Sequence, residues 1–199
     1  MHTYHKFTPV FADKKDWALP NILHARAATH GERVFLDFPL TGESWTYAEA
    51  LWCARAAARA VLAAGAAPGD RLLIMASNRP EFVFSWLAAA FAGMVEVPLS
   101  TQLRGSFFEH QVRTVGPSVC AIEPEFAGHF IESRGACASI RRFYVMGGGA
   151  EADAAIALLR GAGWAADFFD VLMQGGGALA AAELPAVRVH EPAAIFFTS

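Results

Sequence analysis

The sequence predicts an α/β fold, a mostly parallel sheet flanked by helices. Three observations carry this. Short apolar runs recur, such as Leu72-Leu-Ile-Met75, each the length of a strand buried on both faces. Stretches with apolar residues at helical spacing alternate with them. Gly, Pro and capping residues mark the junctions, giving strand-turn-helix units at the spacing of a parallel sheet. No internal repeat is visible.

Composition sets the limits. The chain of 199 residues is long enough for one domain or one large lobe, and 54% hydrophobic with 18% charged residues is globular. A net charge of -3 supplies no basic field for nucleic acid. Cys53, Cys120 and Cys137 are odd in number and unevenly spaced, which argues against a disulfide framework or a structural zinc site and fits a reducing cytoplasm. The N-terminus has no apolar core of the signal-peptide kind. The longest apolar stretch, 82–95, is interrupted by Ser85 and Gly93 and falls short of the ~20 residues a membrane span needs. A cytoplasmic protein is expected.

Residues 1–18 read as an N-terminal arm, and 19–199 as one partial domain. A helix is expected over 19–29, with Pro20 in its first turn and Gly31 after its end. A strand over 34–38, a turn carrying Thr41-Gly42 and a short returning strand from Ser44-Trp45 follow. Thr46-Tyr-Ala-Glu49 has the pattern of a capping box opening a helix to about residue 64, with Arg55 and Arg59 on a solvated face. A strand over 71–76 leads to Asn78-Arg-Pro-Glu81, where Asn78 is expected to cap a helix over 81–92 that is apolar nearly all round. A strand over 94–99, a helix capped at Ser106 and ending at Gly116-Pro117, a strand over 118–122, a helix over 125–133 and a strand over 142–146 continue the alternation. Two glycine triplets, 147–149 and 175–177, flank an Ala-rich helix over 151–160 and an apolar segment over 164–173; 147–185 is expected to be a variable surface insertion. The chain closes on Ala193-Ala-Ile-Phe-Phe-Thr-Ser199, an apolar run suited to a strand buried on both faces, with two hydroxyls at its carboxyl end. That is where α/β proteins place phosphate-binding loops.

Several chemistries have no support. Neither glycine triplet has the Gly-x-Gly-x-x-Gly spacing of dinucleotide binding, no P-loop or Gly-x-Ser-x-Gly elbow is present, and the seven histidines are scattered without a metal-ligand set. Glu96 stands in an apolar strand. It is either the solvent-facing carboxylate of an edge strand or a buried carboxylate near a pocket. Ser100-Thr-Gln-Leu-Arg104 follows the carboxyl end of a strand, where open sheets bind ligands. Arg104 there is either a phosphate contact or a solvated loop charge.

Five motifs in order, Thr46-Tyr-Ala-Glu49, Gly69-Asp70-Arg71, Asn78-Arg-Pro-Glu81, Ala92-Gly-x-Val-x-Val-Pro98-Leu and Glu191-Pro-Ala-Ala-Ile-Phe-Phe-Thr-Ser199, resemble the adenylate-forming (AMP-binding) superfamily of acyl-CoA synthetases, luciferases and nonribosomal adenylation domains. The resemblance covers about residues 20–123 and the last nine. Val95-Glu-Val-Pro98 followed by Arg104-Gly105 is most similar to carnitine/crotonobetaine-type CoA ligases, in which light Glu96 is a subgroup trait. The resemblance implies an acid-thiol ligase that uses ATP, Mg²⁺ and CoA on a small-molecule carboxylic acid. It implies Thr198 and Ser199 as the first two residues of the ATP phosphate loop Thr-Ser-Gly-Ser/Thr-Thr-Gly, and Ser100, Thr101 and Arg104 as a CoA or other ligand loop. The loop glycines and the catalytic lysine of that family do not occur after Ser199 in these 199 residues, so an N-terminal fragment is expected, with no catalytic residue, no metal site, no tight cofactor binding and a tendency to self-associate. The alternative is a non-catalytic α/β module that acts through protein–protein association.

Overall fold

Leu72, Leu73, Ile74 and Met75 are each at most 1% exposed, the burial of a strand covered on both faces. Around it the computed structural model describes residues 9–173 and 183–198. In chain order the elements are α1 (Leu19–His30), β1 (Val34–Phe38), β2 (Glu43–Thr46), α2 (Tyr47–Ala63), β3 (Arg71–Met75), α3 (Pro80–Ala92), β4 (Val95–Pro98) and α4 (Gly105–Val115). These are followed by β5 (Val119–Ile122), α5 (Ala127–Glu132), β6 (Arg142–Val145), α6 (Ala150–Gly161), β7 (Ala165–Phe168) and α7 (Asp170–Met173). Strands β1 and β2 form an antiparallel hairpin. The other five make one parallel sheet in the order β4-β3-β5-β6-β7.

The period-two alternation of β3 divides the core. Leu72 and Ile74 face a cluster built with α2, α3 and α7, whereas Leu73 and Met75 face one built with α4, α5 and α6. The second cluster holds a chain of edge-on aromatic contacts, Phe108–Phe130 and Phe130–Phe143 at 5.0 Å and Phe143–Trp164 at 5.2 Å. Each such pair adds about 0.5–1.5 kcal/mol beyond burial. At the amino-terminal rim, Arg71 donates to the carbonyls of Val115 (2.7 Å) and Gly116 (2.8 Å), satisfying the open end of α4. Asp70 accepts from Arg141 (2.7 Å) and the Ser118 hydroxyl (3.0 Å). The Gly69-Asp70-Arg71 motif is thus a staple between β3 and the starts of its neighbours.

The capping box is formed as expected. Thr46 N–H donates to Glu49 at 2.8 Å and Glu49 N–H to the Thr46 hydroxyl at 3.2 Å. Most element bounds fall within a residue or two of expectation. Six expectations are corrected. Asn78 does not cap α3; the cap position falls on Arg79. Pro80 occupies the first helical position and confines the residue before it to extended backbone, which Arg79 adopts at φ -147°, ψ 161°. Likewise Ser106 lies inside α4, whose cap position is Arg104, without a side-chain cap bond. Arg55 and Arg59 are half-buried and not on a solvated face, because α2 is wedged among α1, α3, α7 and the hairpin. The segment 164–173 supplies β7, paired in parallel with β6, and α7, so the first half of the expected insertion extends the main sheet and its helical layer. The second glycine triplet, 175–177, lies outside the described residues. Residues 193–198 do not form a buried strand: one parallel bridge joins Ala194 to Glu96, and Phe196 is 67% exposed, because their outer edge meets no further strand among the described residues. Finally, β4 is an edge strand of the sheet, yet Glu96 is only 6% exposed and does not face solvent.

Thr46→Ala removes one half of a reciprocal cap on the longest helix, and is expected to cost about 1 kcal/mol. Urea denaturation should show a lower midpoint at unchanged slope; an unchanged midpoint would mean that tertiary packing alone holds the start of α2.

Candidate functional site

All five strands of the sheet run the same way, so their carboxyl ends share one rim. The chain leaves β3 for β4 on one side and returns to β5 on the other, which makes the gap between the ends of β3 and β5 the switch point where open sheets bind ligands. A charged network fills it. Glu123, the residue after β5, accepts from Ser77 N–H (3.0 Å), the Ser77 hydroxyl (2.8 Å) and Arg79 (2.9 Å). Arg79 also grips Glu81 with two bonds, of 2.8 and 2.6 Å, and Gly147 N–H, just past β6, reaches Glu81 at 3.3 Å. Burial opposes ionisation of Glu81, but hydrogen bonds from Arg79 and the backbone, with the guanidinium charge, outweigh it and hold the carboxyl below its ordinary range. Burial also works against the Arg79 charge, and Glu81 and Glu123 more than compensate. One cation against two carboxylates leaves this crevice negative and its donors engaged, a poor seat for a phosphate. The residues of this network appear in the sequence only as a helix-start motif; the readable signal was Arg-Pro-Glu in a first turn with an acid directly after a buried strand.

The loop after β4 holds three of the expected site residues together. Arg104 donates through Nη1 to the carbonyls of Thr101 and Leu103, both at 2.7 Å, and the Ser100 hydroxyl accepts from Gln102 N–H at 3.3 Å. Ser100 and Arg104 are exposed and Thr101 is half-buried. The guanidinium therefore braces its own loop, with its charge facing solvent. That charge reaches His129 on α5, whose pKa is lowered first by burial and then by Arg104. His129 lies between Phe108 and Phe126, and its Nδ1 has no partner.

Thr198 is exposed, and Ser199 lies outside the described residues. The approach to them is fixed at one place: Glu96 N–H donates to Ala193 at 3.0 Å and Ile195 N–H to Glu96 at 2.9 Å. This parallel pairing points 193–198 along β4 toward the rim that carries Ser100 and Thr101, while Ile195 and Phe197 pack on the same cluster as Val97 and Leu99. No bond joins Thr198 to the 100–104 loop. Beside the bridge, burial alone pushes the Glu96 carboxyl up to about 7, and its Oε2 has no partner. Toward the other end of β4, α1, α3 and residues 187–193 enclose a cavity of about 350 Å³ whose walls include Trp17, Trp86, Ile22 and Met94. Among the described residues no group of three or more His, Cys, Asp or Glu could hold a metal, and no helix is long and apolar enough to cross a membrane.

The sequence matches the AMP-binding enzyme family over residues 23–199. The chain belongs to that family. Rat (Rattus norvegicus) long-chain fatty acid transport protein 1 is 38% identical over 86 residues, 43% of this chain and 13% of that protein. Acyl-CoA ligase sidI of Aspergillus fumigatus is 29% identical over 124 residues, 62% of this chain and 21% of that protein. A long-chain-fatty-acid-CoA ligase of Archaeoglobus fulgidus superposes with a TM-score of 0.71 at 17% identity, over 92% of this chain and 34% of that one. This likeness shows the fold: the sheet and its helices are those of the N-terminal domain of adenylate-forming enzymes. The chain spans about a fifth or less of the length of these two curated relatives.

For this AMP-binding family member the Arg79 network is expected to hold the rim together. Arg79→Ala leaves Glu81 and Glu123 facing each other without their cation, and should cost about 2–4 kcal/mol in denaturant unfolding. Glu81 is held below its ordinary value of 4.5, so its share of stability is present above that pH and lost as pH falls through the folded-state value. A loss below 0.5 kcal/mol would show the network to be solvent-screened.

Proposed function

We propose that this chain is the N-terminal part of an ATP-dependent acyl-CoA ligase. In the first half-reaction a carboxylate oxygen of the acid attacks the α-phosphorus of ATP, and the bond to the bridging oxygen breaks as pyrophosphate leaves, giving an acyl-adenylate. In the second, the CoA sulfur attacks the acyl carbon and AMP leaves with its oxygen, the thiol proton passing to solvent. The reading rests on one observation above the others: the family match covers residues 23–199. It supports the reading of Thr198-Ser199 as the first two residues of the family's phosphate loop. Their hydroxyls and backbone N–H groups would meet the pyrophosphate portion, where negative charge builds as it departs. Ser100, Thr101 and Arg104, at the neighbouring strand end, are the proposed loop for CoA or another ligand.

Magnesium would shield the ATP phosphates. The carboxylates Glu81 and Glu123 are committed to Arg79 and do not offer it a seat. The finer reading, a carnitine-like acid, is supported by Val95-Glu-Val-Pro98 with Arg104-Gly105. The three cysteines are free and buried, which supports a reducing, cytoplasmic compartment.

Pyrophosphate release tests this reading. The open reading frame read to its stop codon should release pyrophosphate with one member of a panel of carnitine-like, long-chain and aromatic acids. The 199-residue polypeptide alone, lacking the loop glycines and lysine, should stay at background with all of them. Release by the 199 residues alone, or none by the full reading frame, would contradict the proposal. A frame without a Gly-Thr-Thr-Gly remnant after codon 199 would favour the second reading, an association module, for which the exposed Phe196 at the outer edge of 193–198 speaks.

A further inference from the structure

Glu96 is an unusual residue to bury. It pairs in register with Leu72 of β3, so its side chain lies on the sheet face that carries the apolar cluster built with α2 and α3. It is 6% exposed, and Oε2 has no hydrogen-bond partner. A carboxyl in such a place costs free energy whenever it is ionised. Nothing in the ion-pair networks of the fold requires it.

Its backbone explains where the side chain matters. The same residue makes both hydrogen bonds that fasten residues 193–195 to the sheet, one through its N–H and one through its carbonyl. Ala194 stands directly opposite in a parallel bridge, so its methyl group lies on the same face as the Glu96 carboxyl. On the other face Ile195 and Phe197 reach the cluster of Val97 and Leu99. The docked segment covers the edge of β4 beside the carboxyl, so lifting it would open that edge to water.

We propose that Glu96 is a positioning residue that fastens the segment carrying Thr198 and Ser199 to the sheet when its carboxyl is protonated and loosens it when the carboxyl ionises. The clamp stands on the bridge geometry and the burial of the carboxyl; its consequence for ATP binding rests on the ligase reading. The charged and titratable groups on the elements around it are Arg71 on β3, Glu49, Arg55 and Arg59 on α2, Glu81 on α3, and Arg188, His190 and Glu191 on the incoming segment. Arg71 is spent on the carbonyls of Val115 and Gly116, Glu81 on Arg79, and Glu191 accepts from Arg188 N–H. None of them shifts Glu96, for which burial is the whole cause. Docked, the carboxyl titrates at about 7; released into water, it returns toward its ordinary 4.5. The docked form thus holds the proton more tightly. Docking is strongest below 4.5, weakens by up to tenfold per pH unit between these values, and levels off above 7.

Amide hydrogen exchange on the 199-residue chain tests this without ATP or any activity. After correction for intrinsic exchange, protection of the Ile195 and Glu96 amides should fall by roughly 50-fold between pH 5 and pH 8. In Glu96→Gln it should be flat over that range, and in Glu96→Leu flat as well. Wild-type protection that does not change with pH, or the same slope in Glu96→Gln, overturns the proposal. If Glu96→Leu fails to fold, Glu96→Gln decides. A failed pyrophosphate assay would remove the ligase reading and leave this result standing.

Discussion

Strand β3 has a partner on each edge and helices on each face, so every one of its groups must be satisfied inside the protein. The parallel ladders to β4 and β5 take its backbone, and the two apolar clusters take its side chains. That leaves the residues at its two ends to manage the transition to loops, and both ends use charge. Arg71 closes the far end of α4, and Ser77 with Arg79 binds Glu123 beyond β5. Because β3 is first in the sheet and sits between β4 and β5, these two knots hold together segments more than forty residues apart in sequence.

The knot at the carboxyl rim shapes what the sheet can bind. The switch-point crevice is already filled by a guanidinium and two carboxylates. The proposed phosphate site therefore lies on the β4 side, with the Ser100–Arg104 loop and the approach to Thr198. On that side the supporting contact is slender, two backbone bonds to a single residue, and that residue carries a buried carboxyl.

Much of this was legible in the sequence. Apolar runs located β1 and β3 to β6, the Thr41-Gly42 turn located β2, glycines closed α3 and α4, and the capping box of α2 was readable from Thr46 and Glu49, because each signal is local. Tertiary context decided the rest. Asn78 has the chemistry of a cap, but the backbone restriction imposed by Pro80 moved the cap to Arg79. The short 165–168 run has weak strand character by itself and becomes β7 by pairing with β6. At 193–198 the apolar pattern is that of a strand, but pairing on one edge only yields a bridge. Burial of Glu96 could not be read from its edge position, since it depends on packing by segments distant in the sequence. The site residues show the same division: Ser100, Thr101 and Arg104 are neighbours in sequence and in space, whereas the Arg79–Glu123 contact joins distant segments.

The central claim is that residues 193–195 lie parallel to β4 in a register that directs the chain up to Thr198 toward the carboxyl rim. Scalar couplings across hydrogen bonds, measured by NMR on the isotope-labelled chain at pH 5, test it most directly. Coupling of Ile195 N–H to the Glu96 carbonyl and of Glu96 N–H to the Ala193 carbonyl is predicted. Coupling of either amide to a different carbonyl, or an unprotected Ile195 amide, would contradict it.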